Sequence, residues 1–150
     1  MNTVAKKEQK KVEISSAEWQ IMRIVWTLNH VTSSEIINLM QKKQSWSDST
    51  IKTLITRLTK KKFLSREKDN GRYIYSPTVE EQATMIEYAE SLFSNFCAHK
   101  TGSVLTDLIT SMELSQADIK TLQSALDTKL KTAPEHVKCD CLPEDCEHVC

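Results

Sequence analysis

Phe63-Leu64-Ser65-Arg66-Glu67-Lys68, then Asp69-Asn70-Gly71, then Arg72-Tyr73-Ile74-Tyr75, is the stretch that decides the fold. Asn-Gly between two strand-like runs predicts a β-hairpin, because a type I′ turn needs positive φ at both central residues. Pro77 closes the unit. What precedes the hairpin is helical. From Ile14 onward, Ser15 and Glu18 have the spacing of a capping box, and Trp19, Ile21, Met22, Ile24, Val25, Trp26 and Leu28 follow. That helix is apolar over most of its surface and therefore central. After Asn29-His30-Val31, Thr32 and Glu35 set a second capping box before Ile36, Ile37, Leu39 and Met40. A polar break from Gln41 to Trp46 ends it. Ser47 or Asp48 then caps a third helix, in which Ile51, Leu54, Ile55 and Leu58 recur at helical spacing and face the first two.

Beyond Pro77 the pattern stays helical. Met85, Ala89, Leu92, Phe93 and Phe96 form one stripe of a long helix between about residues 80 and 98. Val104, Leu105, Leu108, Ile109 and Met112 mark a second helix, and Ser115 caps a third carrying Ile119, Leu122, Leu126 and Leu130. Three such helices make a thin bundle whose apolar stripes exceed what one small subdomain covers, so a dimer is expected to bury the remainder. Periodicity stops after Leu130, and Lys131 to Lys138, with Pro134, reads as a linker.

Charge divides the chain in the same place. The 20 Lys+Arg and 20 Asp+Glu cancel overall. Residues 1 to 75 nonetheless hold 15 basic and 7 acidic side chains, a surplus of 8, and residues 76 to 150 hold 5 and 13, a deficit of 8. A basic half of that kind meets polyanions. With only 2 Gly and 3 Pro among 150 residues, long helices are favoured over many turns. Apolar runs are too short for a membrane span, and the charged start from Lys6 to Lys11 lacks the apolar core of a signal peptide. The expected compartment is the cytoplasm, where cysteines remain thiols.

With its apolar stripe turned inward, the third helix presents Ser49, Lys52, Thr53, Thr56 and Lys60, flanked by Thr50 and Arg57. Small hydroxyls permit close approach to a major groove, and Arg or Lys addresses guanine edges and phosphates. Such a face is also what any solvated helix shows. The surroundings favour DNA: Lys60, Lys61 and Lys62 follow directly, and Arg66, Lys68 and Arg72 surround the hairpin tip, within reach of an adjacent groove or the phosphate backbone.

Three separated segments, Ser16-Ala17-Glu18-Trp19-Gln20-Ile21-Met22-Arg23-Ile24-Val25-Trp26, Trp46-Ser47-Asp48-Ser49-Thr50-Ile51-Lys52-Thr53-Leu54 and Gly71-Arg72-Tyr73-Ile74-Tyr75-Ser76-Pro77, resemble the penicillinase-repressor (BlaI/MecI) family of winged-helix proteins. The resemblance runs from about residue 14 to about residue 130. It implies a mainly α protein and a homodimeric repressor of double-stranded operator DNA, with a winged helix-turn-helix domain of three helices plus a hairpin wing (14–78) and a helical dimerisation domain (79–130); the charged start reads as a basic arm (1–13), and the loss of periodicity and the cysteines give a linker (131–138) and a cysteine-rich tail (139–150). Ser47, Ser49, Thr50, Lys52, Thr53, Thr56, Arg57 and Lys60 then belong to the recognition helix, and Arg66, Lys68 and Arg72 to the wing. Dimerisation falls to Met85, Ala89, Leu92, Phe93, Phe96, Leu105, Leu108, Ile109, Leu122 and Leu126. Trp19, Trp26 and Trp46 become packing residues.

Four of the five cysteines lie in the last twelve residues, Cys139-Asp-Cys141-Leu-Pro-Glu-Asp-Cys146-Glu-His-Val-Cys150. Thiolates in two close pairs can converge on one soft ion, with Pro143 turning the chain between them. Disulfides are the competing reading, which a reducing cytosol and the short spacing within each pair disfavour. The tail is similar to that of the CopY-type copper-responsive repressors, which end in two C-x-C pairs. The first pair matches. In the second, Cys146 and Cys150 are three residues apart and His148 stands where a cysteine is expected, so the fourth ligand is either Cys150 or His148. This resemblance implies a repressor of copper-export genes that holds Zn(II) when bound to an inverted repeat of the form TACA, two bases, TGTA. Cu(I) then acts as inducer, with a copper chaperone as a further partner. Four thiolates around one zinc(II) carry the same net charge as four around two copper(I), so geometry rather than neutralisation must distinguish the signals.

Cys97, near Phe93 and Phe96, is expected to be a buried structural thiol, and His30 and His99 polar boundary residues. Asn95-Phe96 resembles the cleavage dipeptide of antibiotic-responsive members of the family, which gives an alternative repressor inactivated by proteolysis. A copper or zinc buffer is an alternative of another class. The chain has no Gly-rich phosphate loop, nucleophile elbow or carboxylate constellation outside the tail, so no enzyme is expected.

Overall fold

The computed structural model describes residues 13–143. Most of the basic arm, Cys146, His148 and Cys150 thus lie outside the described residues. The elements are α1 (Ser16–Leu28), β1 (Val31–Thr32), α2 (Ser33–Lys43), α3 (Asp48–Lys60), β2 (Leu64–Asp69), β3 (Arg72–Pro77), α4 (Glu81–Phe93), a 3-10 turn (Ala98–Lys100), α5 (Thr101–Ser111) and α6 (Gln116–Leu130). Two compact units divide within α4, the first ending at Ala89 and the second beginning at Glu90. No helix among the described residues is long and apolar enough to cross a membrane.

The first unit is the mainly helical winged-helix fold that the sequence predicts. Both early capping boxes form: the Ser15 hydroxyl accepts from Glu18 N, and the Thr32 hydroxyl from Glu35 N, with each glutamate returning a bond to the cap backbone. The Glu35 carboxyl is held below its ordinary pKa by the Thr32 backbone N–H first and its hydroxyl second, with Arg72 adding to the effect against a small burial cost. Ile21, Met22 and Val25 of α1, Ile36 and Met40 of α2, and Ile51, Ile55 and Leu58 of α3 are fully buried against one another. Three helical stripes thus close on a single core, with Leu64 and Tyr75 sealing it from the sheet side.

Asn70 (φ 48°) and Gly71 (φ 80°) supply the two positive φ angles of the turn between β2 and β3. Sequence reading missed the third strand. β1 pairs antiparallel with β3, Val31 opposite Tyr75 and Thr32 opposite Ile74, giving the order β1-β3-β2. Two residues are too few for any alternation to register, and the strand exists because β3 offers it an edge. Near the junction His30 Nδ1 lies 2.8 Å from Ser76 Oγ, the boundary role expected of it.

In the second unit the long helix predicted to about residue 98 stops at Phe93. Ser94 Oγ donates to Ser91 O at 2.6 Å and Asn95 Nδ2 to the same oxygen at 3.4 Å, while Asn95 N and Phe96 N tighten to i−3 carbonyls. Side chains that compete for backbone carbonyls unwind the last turn, so Phe96 and Cys97 leave the helix. Ser115 caps α6 as expected, in a capping box with Asp118. None of the described residues from 90 to 143 is buried.

Candidate nucleic-acid interface and sulfur cluster

The third helix is positioned before it is exposed. Ser47, not Asp48, is its N-cap, accepting from Thr50 N at 3.3 Å and lying 3.0 Å from the hydroxyls of Ser49 and Thr50. Gln41 Nε2 donates to Asp48 Oδ1 at 2.7 Å and to Trp46 O at 3.2 Å, which fixes the start of α3 to the end of α2. At the other end, Lys62 adopts φ 64°, with Phe63 N bonded to Leu58 O and Lys62 N to Thr59 O. This is a Schellman stop with lysine where glycine is usual.

Held at both ends, α3 turns Ser49, Thr50, Lys52, Thr53, Thr56, Arg57 and Lys60 to solvent. Thr53 donates its hydroxyl hydrogen to Ser49 O and Thr56 its own to Lys52 O, both at 2.9 Å. With their hydrogens so engaged, these two oxygens keep lone pairs to accept, beside Lys52 and Arg57 as charged donors.

The wing cations divide. Opposed residues of an antiparallel pair share a face, so Arg66 opposite Tyr75 and Lys68 opposite Tyr73 lie together. The Arg66 guanidinium stands 4.6 Å over the Tyr73 ring, which stiffens that edge. Arg72, paired with Asp69, projects from the other face and stands near Glu35. Lys61 is a correction to the basic run. Its ammonium lies 2.8 Å from Glu18 Oε2 and 2.7 Å from Glu13 O, committed to the fold instead of to phosphate.

The expected packing roles of the tryptophans hold. Trp26 Nε1 donates to Val79 O at 3.0 Å, Trp19 packs between Trp26 and Tyr88 with ring centroids 5.5 and 5.1 Å away, and Trp46 rests on the core.

Of the residues expected at a dimer interface, Met85 and Ala89 lie in the first unit and the others in the second: Met85, Leu92, Phe96, Leu105, Ile109 and Leu126 are 37–57% exposed, Ala89 is exposed, and Phe93, Leu108 and Leu122 are half-buried. Among the described residues these apolar side chains are left partly or wholly exposed.

Cys97 overturns its expected role. It is half-exposed at the start of the 3-10 turn, and its sulfur lies within 4.8 Å of those of Cys139 and Cys141, 3.6 Å from Cys139. Burial raises the Cys97 pKa, but the Cys141 side chain and the N–H groups of His99 and Lys100 outweigh it, and the thiol is held below its ordinary range despite the nearby Asp140 carboxylate. Against the expectation that the tail cysteines remain thiols, Cys139 is disulfide-bonded in this structure, so ligation at that sulfur belongs to the reduced chain. The stretch read as a free linker is tied down at its end, with His99 Nδ1 2.9 Å from Val137 O and Ala98 N donating to Asp140 Oδ1 at 2.9 Å. No spacing rule connects Cys97 with a pair forty residues away.

A model of the penicillinase repressor family matches residues 14–128. An uncharacterized 16.5 kDa protein of Latilactobacillus sakei is 50% identical over 90% of this chain and 92% of its own length. The methicillin resistance regulatory protein MecI of Staphylococcus aureus is 35% identical over 81% of this chain and 99% of its own. Among solved structures, a CopR repressor is 38% identical, covering 45% of this chain and 99% of that chain with a TM-score of 0.40. The chain belongs to the penicillinase-repressor family and is a DNA-binding transcriptional repressor.

Proposed function

We propose that this repressor is metal-responsive and controls copper-homeostasis genes: a homodimer binds an inverted-repeat operator in its zinc form and is released when copper(I) displaces zinc at the tail thiolates. The observation that carries this reading is the sulfur cluster of Cys97, Cys139 and Cys141. Thiolates of the tail select soft or borderline ions, and the geometry they adopt distinguishes zinc(II), which takes a closed tetrahedron, from copper(I), which accepts lower coordination. The exposed stripe of the second unit supports the dimer, and the exposed face of α3 with the Arg66–Lys68 edge supports DNA contact. DNA and copper(I) then oppose each other reciprocally.

Fluorescence-anisotropy titration of a TACA-N2-TGTA duplex with the reduced full chain tests this, with zinc and then with copper(I). Tight, sequence-specific binding with zinc and weakened binding with copper(I) is expected. Equal affinity in the two metal states sinks the switch, and copper binding without metal-sensitive DNA affinity identifies a buffer.

A further inference from the structure

We infer that Cys97 is a ligand of the same metal centre as Cys139 and Cys141, so that metal binding fastens the cysteine tail to the segment joining α4 and α5. This rests on the metal-responsive reading above and adds to it a ligand from outside the tail.

Besides the contacts between the sulfurs themselves, two bonds that do not involve sulfur bring the segments together. Ala98 N, a donor left over at the start of the 3-10 turn, reaches the carboxylate of Asp140, and the His99 ring holds the Val137 carbonyl. These two bonds bracket Cys139 in sequence. Because Asp140 is pinned, the cysteines on either side of it are carried to the same place, and Cys97 is the residue immediately before the one that pins it. Packing does not account for the meeting: none of the three sulfurs belongs to a buried residue.

The geometry also fits an ion. Metal–sulfur bonds of about 2.3 Å place the sulfurs of a tetrahedral or trigonal site about 4 Å apart. With the Cys139 disulfide reduced, the observed separations, 3.6 Å for Cys97–Cys139 and none above 4.8 Å, need adjusting by less than about 1 Å. Three thiolates complete a trigonal copper(I) site and supply three of the four positions of a zinc tetrahedron. The joint between α4 and α5 thereby becomes the place where the identity of the ion is felt.

The full chain, reduced with a phosphine and freed of reductant anaerobically, is treated with iodoacetamide with and without stoichiometric zinc, and alkylation of each cysteine is followed by peptide mass spectrometry. Zinc is expected to slow alkylation of Cys97 by at least about tenfold, together with Cys139 and Cys141. In parallel, Cys97→Ser is loaded with cobalt(II), and its sulfur-to-cobalt absorbance is expected to fall by roughly a quarter to a third, one thiolate among three or four. Protection of Cys139 and Cys141 with Cys97 alkylated at its metal-free rate overturns this inference alone. Protection of no cysteine by zinc or by copper(I) overturns the metal-responsive reading and this inference with it. The protection assay uses the unmutated chain, so it decides the matter even where the Cys97→Ser protein folds poorly.

Discussion

Lys61 and Glu18 form an ion pair that locks the start of α1 to the end of α3: the ammonium lies 2.8 and 3.1 Å from the two carboxylate oxygens, and Glu18 is 2% exposed. Glu18 is also the partner of Ser15 in the α1 capping box, so a single carboxylate ties α1 to the end of the helix that carries the proposed DNA-reading face. Removing the lysine leaves a buried charge with part of its compensation gone. Lys61→Met is expected to destabilise the fold by roughly 2 kcal/mol, discounted because the lysine side chain is partly exposed, and to leave the salt dependence of DNA binding unchanged. Urea unfolding and a salt titration check the two halves. A flatter salt slope with unaltered stability would return Lys61 to the phosphate contacts.

That pair shows where the sequence was legible and where it was not. Periodicity and capping residues place α1, α2 and α3 because each is specified within a few neighbours: Ser15 with Glu18, Thr32 with Glu35, and Ile51, Leu54, Ile55 and Leu58 on one stripe. Asn70-Gly71 fixes the wing for the same local reason. Lys61 could not be separated from Lys60 and Lys62, because its partner is 43 residues away. β1 depends on an edge that only the folded hairpin creates, and Cys97 meets Cys139 through hydrogen bonds across the second unit. Local signals were readable; long-range pairings were not.

The outward acceptors and donors of α3 differ in kind from the wing cations. Thr53→Ala or Arg57→Ala is expected to weaken specific binding by about 1–3 kcal/mol while sparing nonspecific binding. Lys68→Ala weakens both and lowers the salt slope by about one. Parallel titrations on operator and scrambled duplexes measure this. Unchanged operator preference in the helix variants refutes the assigned face.

Lys62 sits at φ 64°, a left-handed conformation that favours glycine. Its backbone position stops α3 and starts the path to β2, and Thr78 Oγ1 donates to its carbonyl. Lys62→Gly is expected to stabilise the fold by about 0.5–1 kcal/mol, the relief of the Cβ clash exceeding the entropy added to the unfolded chain. Loss of stability in chemical denaturation would show that the lysine side chain contributes more than its backbone costs.

Glu35 provides the pH test. Its folded pKa is lowered chiefly by the Thr32 backbone N–H, so the stabilisation is complete above the ordinary glutamate range and is lost as pH falls through the lowered value. Glu35→Gln keeps an acceptor for the capping box but cannot titrate. Its melting temperature is expected to fall less steeply on acidification than that of the unmutated chain. Superimposable acid limbs would exclude Glu35 as a contributor.

The exposed stripe of the second unit makes the sharpest claim about assembly. Leu105 and Ile109 follow one another at helical spacing on α5, 45% and 43% exposed, and Leu126 of α6 is 57% exposed. Each buried leucine or isoleucine contributes about 1.5–3 kcal/mol, and in the proposed homodimer a second copy of the chain would offer the same side chains in a self-complementary patch. A charge in that patch has no partner once the copies meet and therefore acts against association rather than against the fold of the first unit. If the proposed homodimer uses this face, the unmutated chain is expected to sediment as a dimer and Ile109→Glu as a monomer at the same concentration, with the α1–α3 core and its denaturation midpoint preserved. Operator affinity then falls steeply, because each half-site must be bound without help from the other. Dimeric sedimentation of Ile109→Glu would move the interface off this face.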